Sequence, residues 1–396
     1  MTYEINQQVL NKTLKALKRN LDGRPSHPVL EGFLLEFKGL DLKISAVGGT
    51  GFKQKFTRAA ATVGLNAGSS EDLSIAIPGK ELVDLVSTLP KGCNVALSPQ
   101  PDNSLKIEAD RISTTILGNS PEDFPTVFDI GVDTKGSQVS IPAAYVAAAL
   151  KDTLYSASKD PHKAALSSVS FTVEENGTFA AIATDGHRMS YIETYVGSQE
   201  SGLKLEVPLK IADQLQKLLG SNLKKLAGKD VKFYQIGNDL LGVSYDSVEF
   251  IFSATSDKYP DCSRLIPDKF SMATLFDTEE LTGALTRASK FANLGKGVVK
   301  FEFDPDAGSS SLSCENFKET LSVSIEGRIE GDKIGFNVNY LLDALKGPYL
   351  KASKSVSMEM NSPTSPAVLE PCPTVSDSYR YLVMPINLRS WGWQGA

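Results

Sequence analysis

The run Ala183-Thr184-Asp185-Gly186-His187-Arg188-Met189 places a carboxylate two residues from an imidazole, the pairing a general base and its orienting partner would use. It lies between two strand-like runs, Thr178 to Ile182 and Ser190 to Ile192, and Asp-Gly in that position signals a hairpin turn. The other histidines are His27 and His162, and neither a Gly-x-Ser-x-Gly elbow nor a cysteine nucleophile context accompanies them. Phosphate loops fail as well. Gly48-Gly49-Thr50-Gly51 lacks the closing lysine and hydroxyl residue, and Gly295-Lys296-Gly297 lacks the upstream glycine. Cys93, Cys262, Cys314 and Cys372 are scattered without a C-x-x-C pair, which argues against a disulfide framework and against a zinc site. No catalytic residue, metal site or cofactor is expected; the chain reads as a binding protein.

Two features point to what it binds. Net charge is -6 at pH 7, yet basic residues gather on helix-patterned runs. These are Lys12, Lys15, Lys18 and Arg19; Lys210, Lys217, Lys224, Lys225 and Lys229; Arg287, Lys290 and Lys296; and Lys346 with Lys351. Acidic residues concentrate in strands and connections, as at Glu71-Asp72, Glu174-Glu175, Asp304, Asp306, Glu326 and Glu330. On one helix lysines merely solvate a face; their recurrence predicts a common positive surface. The second feature is the apolar run Tyr381-Leu382-Val383-Met384-Pro385-Ile386. It suits either a core strand or the wall of a peptide groove, where methionine adapts to varied partners.

The elements that must position these residues repeat. Six short β-type runs each meet a cap residue and pass into a helical pattern, at Asn6, Pro78, Pro142, Pro208, Asp277 and Asn337. Asn and Asp accept a hydrogen bond from an orphan helix N–H, and proline lacks an N–H that would be unpaired there. Successive caps lie 72, 64, 66, 69 and 60 residues apart, so one unit recurs and its copies form three pairs. Weakly patterned stretches at 118–136 and 253–269 place cuts near 130 and 268. The expected domains are 1–130, 131–268 and 269–396, the last with a short tail. Each reads strand, helix, several strands, twice over, an α+β pattern. Strands are expected at Gly32–Phe37, Ser168–Val173 and Val298–Phe303, and helical spacing at Leu82, Leu85, Val86, Leu89 and at Leu341, Leu342, Leu345. No apolar run is long enough to span a bilayer and the start lacks a basic, apolar leader, so a cytoplasmic location is expected.

Ring geometry narrows the reading. Helices about 10 Å thick pack about 10 Å apart, so a closed ring of six leaves a lumen of about 9 Å and twelve leave about 28 Å. Duplex DNA is about 20 Å across, judged from its groove depths. One chain is too small to encircle a duplex with its helices; two joined end to end suffice.

Ala183–Met189, Tyr259-Pro260-Asp261 with Arg264-Leu265-Ile266-Pro267, Phe336–Asp343 and Tyr381–Ile386 together resemble the bacterial sliding clamp family, the beta subunit of DNA polymerase III. Gly23-Arg24-Pro25-Ser26-His27-Pro28-Val29-Leu30 is similar to its first-domain motif. The resemblance spans almost the whole chain, in family order. It implies a head-to-tail homodimeric ring in which three similar clamp domains, each a pair of helix-plus-sheet repeats, form half of a closed ring with helices lining the hole. It implies a processivity factor that slides on double-stranded DNA without sequence specificity. Such a protein is an accessory subunit of a polymerase holoenzyme, without cofactor or membrane.

The resemblance also implies partners: DNA polymerase, clamp loader and other proteins carrying a clamp-binding motif. Their pocket carries over onto Leu166, Thr184, Gly186, His187, Arg188, Met189, Pro260, Arg264, Leu265, Leu382, Val383, Met384, Pro385 and Ile386. Leu166, Met189, Val383 and Met384 are expected to line it, with Arg188 and Arg264 at the rim. DNA contacts carry over onto Arg24 and onto the loop with Lys159, His162 and Lys163. Three departures stand out. Met189 replaces a leucine, Ala46 to Lys53 is glycine-rich in place of an acidic turn, and Ser390 to Ala396, with Trp391 and Trp393, runs past the family's usual end. The alternative is a clamp-fold scaffold that binds only proteins, or a specialised second clamp without a general replication role.

Overall fold

The computed structural model describes residues 1–21, 28–49, 56–125, 135–160, 162–163, 165–220, 223–237, 240–254, 259–292, 296–373 and 378–388. All six expected strand-to-helix junctions are present. Helix α1 spans Gln7–Leu17, α2 Gly79–Thr88, α3 Ala143–Thr153, α4 Leu209–Leu219, α5 Thr278–Ala292 and α6 Val338–Lys346, followed by the short α7, Pro348–Ala352. Local chemistry sets their starts. Asn6 Oδ1 accepts the Gln8 N–H at 3.0 Å, Asp277 Oδ1 accepts those of Glu279 and Glu280 at 3.0 and 2.9 Å, and Asn337 Oδ1 accepts that of Asn339 at 2.9 Å. Pro78 occupies the cap position itself and leads directly into α2.

The chain forms two compact units, Met1–Ala143 with Lys217–Ala254, and Ala144–Gln216 with Thr255–Ala396. The first is built on one antiparallel sheet of ten strands. Its order is Ile112–Leu117, Ser104–Ala109, Asn94–Pro99, Tyr3–Asn6, Phe56–Pro78, Val248–Ser253, Leu240–Tyr245, Asp230–Ile236 and Lys135–Pro142, with Gly32–Gly49 also paired on Phe56–Pro78. The second unit carries an antiparallel sheet of twelve. It runs Leu203–Pro208, Ser168–Val173, Thr178–Thr184, Arg188–Tyr195, Ser378–Val383, Ala367–Cys372, Ser355–Met360, Met272–Asp277, Phe317–Gly327, Ser309–Cys314, Val298–Asp304 and Lys333–Asn337.

Each sheet contains a long-range junction of the same kind. Val248–Ser253 pairs with the start of Phe56–Pro78, from Val248 opposite Ala61 to Phe252 opposite Thr57. Ser378–Val383 pairs with Arg188–Tyr195, from Ser378 opposite Glu193 to Val383 opposite Arg188. In both, the final strand of a second repeat lies against the final strand of a first repeat.

The helices bury one stripe and expose the other. Helix α1 buries Leu10, Leu14 and Leu17, each contributing about 1.5–3 kcal/mol by burial, while Lys12, Lys15, Lys18 and Arg19 stay exposed. Gln7 Nε2 donates to Val86 O at 2.7 Å and fastens α1 to α2. Helix α5 buries Leu281, Ala284, Leu285 and Ala288, and leaves Arg287 and Lys290 exposed. Among the described residues no helix is long and apolar enough to cross a membrane.

Candidate partner-binding groove and basic loop

Thr178–Thr184 and Arg188–Tyr195 form the hairpin that the Asp-Gly pair signals, and Gly186 turns it at a φ of 93°, open to glycine at little strain. Asp185 braces this turn. Its Oδ1 accepts the backbone N–H groups of His187 and Arg188 at 2.9 and 3.1 Å, and its Oδ2 accepts Arg188 Nε–H at 3.0 Å. Thr184 Oγ1 accepts the Gly186 N–H at 3.1 Å and donates to Arg188 O at 2.6 Å. The carboxylate that could have served as a base is thus engaged in holding a loop.

Arg188 corrects the expectation of a rim residue: it is only 8% exposed. Its Nη1 donates to Asp343 Oδ2 at 2.6 Å, its Nη2 to Tyr155 O at 2.5 Å, and the guanidinium lies 4.4 Å from the centre of the Tyr340 ring. Two carboxylates, a carbonyl and an aromatic face compensate its burial, which is why a charge is tolerated there. Around it lies a cluster that sequence reasoning missed. Tyr155 and Tyr379 share a hydroxyl hydrogen bond of 2.5 Å, Tyr349 stacks on Tyr379, and Tyr381 donates to Tyr340 O at 2.8 Å. Asp152, at the end of α3, is fully buried beside Tyr349, and burial pushes its carboxyl up to about 7. The motif Phe336–Asp343 was visible in the sequence, but nothing local marked Asp343 as the partner of Arg188.

The candidate partner surface includes the chain that follows Ser378–Val383. Met384 N donates to His187 O at 2.8 Å, which lays the Met384–Ile386 stretch along the hairpin turn. Met384 is 39% exposed; Leu166, Pro385 and Ile386 are half-buried; Gly186, His187, Pro260, Arg264 and Leu265 are exposed. Arg264 is exposed, its Nε 2.8 Å from Asp261 Oδ2. Met189 and Val383 do not line an open pocket. Met189 and Leu382 are packed with Tyr259, Cys262 and Val368, Val383 is 0% exposed, and Thr184 is buried too. Strand pairing explains this, since Met189 opposes Leu382 and Arg188 opposes Val383 inside a sheet with neighbours on both sides.

The loop carrying Lys159, His162 and Lys163 is exposed and reaches the same hairpin: Lys163 Nζ donates to Asp185 O at 3.2 Å. Leu166 belongs to it as well, its carbonyl accepting the Ser158 N–H at 3.0 Å. The basic loop and the candidate pocket residue Leu166 therefore belong to one piece of chain. Arg24 and His27, the Thr50 to Lys53 part of the glycine-rich stretch, and Trp391 and Trp393 lie outside the described residues. Among the described residues no cluster of three His, Cys, Asp or Glu side chains could hold a metal ion.

Comparison with known proteins supplies the family. Residues 1–128, 140–261 and 263–387 match the family models of the DNA polymerase III beta subunit N-terminal, central and C-terminal domains. The chain is 27% identical to the "Beta sliding clamp" of Synechococcus elongatus over 395 residues, covering 97% of this chain and 98% of the relative. It is 27% identical to that of Vibrio cholerae, covering 98% and 100%. Among solved structures, the DNA polymerase III subunit beta from Pseudomonas aeruginosa superposes with a TM-score of 0.84 at 21% identity, over 98% of this chain and 100% of that one. The DNA polymerase sliding clamp from Bacillus subtilis gives 0.84 at 19%, over 98% and 99%. At those identities the structures speak for the fold, and the sequence models speak for descent. Three models of one protein, in order over almost the whole length, place this chain in the DNA polymerase III beta subunit family.

Proposed function

We propose that the protein is a DNA sliding clamp, three domains (1–130, 131–268 and 269–396) per chain, with two chains closing a ring around duplex DNA in the cytoplasm. One observation carries the dimer. Within the chain, the last strand of a second repeat twice pairs with the last strand of a first repeat. The two remaining strands of those classes are Ile112–Leu117 and the Phe317–Ser322 part of Phe317–Gly327. Among the described residues each is paired along one side only, with Ser104–Ala109 and Ser309–Cys314 respectively. Pairing Ile112–Leu117 of one copy with Phe317–Ser322 of another repeats the same junction. Exposed Ile112, on the face of its strand that buried Ile116 shares, then lies on the side of the joined sheet that carries Phe317 and the Phe291 stacked on it. The contact is heterologous, and two of them close into a ring. Analytical ultracentrifugation at micromolar concentration is expected to give twice the chain mass, and Ile112→Asp with Phe317→Asp to give monomer. A wild-type monomer with no larger species sinks the ring.

Sliding requires many weak phosphate contacts and no strong one, which suits lysines dispersed on helix faces above an acidic remainder. Changing Arg24, Lys159 and Lys163 together to alanine is expected to weaken DNA binding, with the dimer intact. Its salt dependence should flatten by about 0.9 in logarithmic slope for each phosphate no longer neutralised. A full salt slope in the triple variant moves the DNA face elsewhere. The groove at Leu166, Leu265 and Met384 tethers polymerase, clamp loader and other partners by short extended peptides. Sliding and tethering neither break nor make a covalent bond; the mechanism is topological.

A further inference from the structure

Gly186 and His187 turn a hairpin, and Met384 follows the end of the strand Ser378–Val383. Both pieces lie just beyond regular strand pairing, so side-chain ties decide where they stand. They are joined to each other by the Met384 N–H donated to His187 O at 2.8 Å. Helix α6 ties both of them down. Its Val338, Leu341, Leu342, Ala344 and Leu345 are buried and Asn337 caps its start, so it is a fixed support. Tyr340 and Asp343, three positions apart, share a face of that helix. Asp343 Oδ2 accepts Arg188 Nη1–H at 2.6 Å, and the Tyr340 ring centre lies 4.4 Å from the same guanidinium. Tyr340 O accepts the hydroxyl of Tyr381, in the strand that leads to Met384, at 2.8 Å.

The three oxygens around Arg188 are not equivalent. Asp185 Oδ2, at 3.0 Å, belongs to the turn itself and moves with it. Tyr155 O, at 2.5 Å, is a neutral carbonyl. Asp343 alone of the three brings a charge from a separate helix, and a charge-assisted hydrogen bond is the stronger tie. Its side chain is 41% exposed, so removing it strands no buried charge on α6, while Arg188 keeps Asp185 as a counter-ion. Asp343 lies outside the residues that the family likeness assigns to the pocket. We propose that Asp343 is a positioning residue for partner binding: through Arg188 it holds the Gly186–His187 turn where Met384 and an incoming peptide need it. This role presupposes that Met384, Leu166 and Leu265 form the partner surface.

Calorimetry on the full-length protein, with a peptide carrying a central Gln and terminal Leu-Phe residues, tests the role. Asp343→Ala is expected to weaken binding about tenfold, still at one peptide per chain, with the denaturation midpoint little changed. Hydrogen exchange is expected to quicken at Met384, whose N–H loses a fixed acceptor, and to stay as in wild type along Thr178–Thr184. Arg188→Lys keeps the charge, but one ammonium cannot meet Asp185, Asp343 and Tyr155 O together, so it is expected to weaken binding to a similar degree. Combined with Asp343→Ala it is expected to add little, because both remove one tie. Full affinity in Asp343→Ala, beside a loss in Met384→Asp, overturns the proposal. Effects that add in the double variant overturn it too. So does a loss that only mirrors a smaller folded fraction, with fewer than one peptide per chain and faster exchange throughout the sheet. A wild type that binds no peptide removes the partner surface itself. Exchange at Met384 then still decides, since unchanged protection in Asp343→Ala overturns the tie.

Discussion

Met384→Asp is expected to lower affinity for a peptide with a central Gln and terminal Leu-Phe residues about 100-fold, roughly 3 kcal/mol, by placing an unpaired charge among apolar anchors. Fold stability should change little. Met384 is part-exposed, and the hydrogen bond that ties it to the hairpin, the N–H donated to His187 O, belongs to the backbone. The neighbouring Val383→Asp makes the contrast: that side chain is buried in the sheet, and its charge is expected to unfold the second unit. Calorimetry on folded Met384→Asp dimer checks the first expectation, and unchanged peptide binding would move the partner site away from this wall.

Asp152→Asn is expected to stabilise the protein at pH 8 by as much as about 4 kcal/mol and to flatten its stability between pH 4 and 7. Burial raises this carboxyl from 3.8 to about 7 in the folded chain, outweighing the Tyr349 N–H and Lys151 that favour its charge. Between those values the folded state keeps a proton that the unfolded chain has lost. Stability due to this group therefore falls as pH rises through the window, and the full penalty is present above it. Asparagine fills the same space without a charge to desolvate. Denaturant midpoints of wild type and variant at pH 5 and pH 8 give the result; parallel pH profiles for the two proteins would show that Asp152 is not the group responsible.

What could be read along the chain was what local chemistry decides. Asn6, Asp277 and Asn337 cap helices through their own side chains, so their positions alone located α1, α5 and α6. The hairpin at Asp185-Gly186 was legible for the same reason. Strand partnership was not: Phe56–Pro78 meets Val248–Ser253 across half the chain, and no pattern near either strand names the other. The site divides in the same way. Arg264, Leu265 and Met384 lie on open surface. Arg188 carries the family motif but turns inward, because its partners Asp343 and Tyr155 arrive from distant segments. Met189 and Val383 are apolar residues that a pocket and a core would use equally well, and only the pairing register shows that they serve the core.

The long-range junctions also set a timetable for synthesis. Arg58 and Glu249, ion-paired across the first junction at 3.2 Å, are 191 residues apart in the chain. At about 5–20 residues per second, the ribosome needs roughly 10–40 s between delivering one strand and the other. Throughout that interval the outer side of the Thr57–Ala61 segment is a raw edge, and the second junction repeats the delay until the last strand, Ser378–Val383, is made. Both edges are raw together only while residues 196–247 are being made, so the nascent chain is most open to wrong pairing in that window, and Ser378–Val383 later closes the second junction.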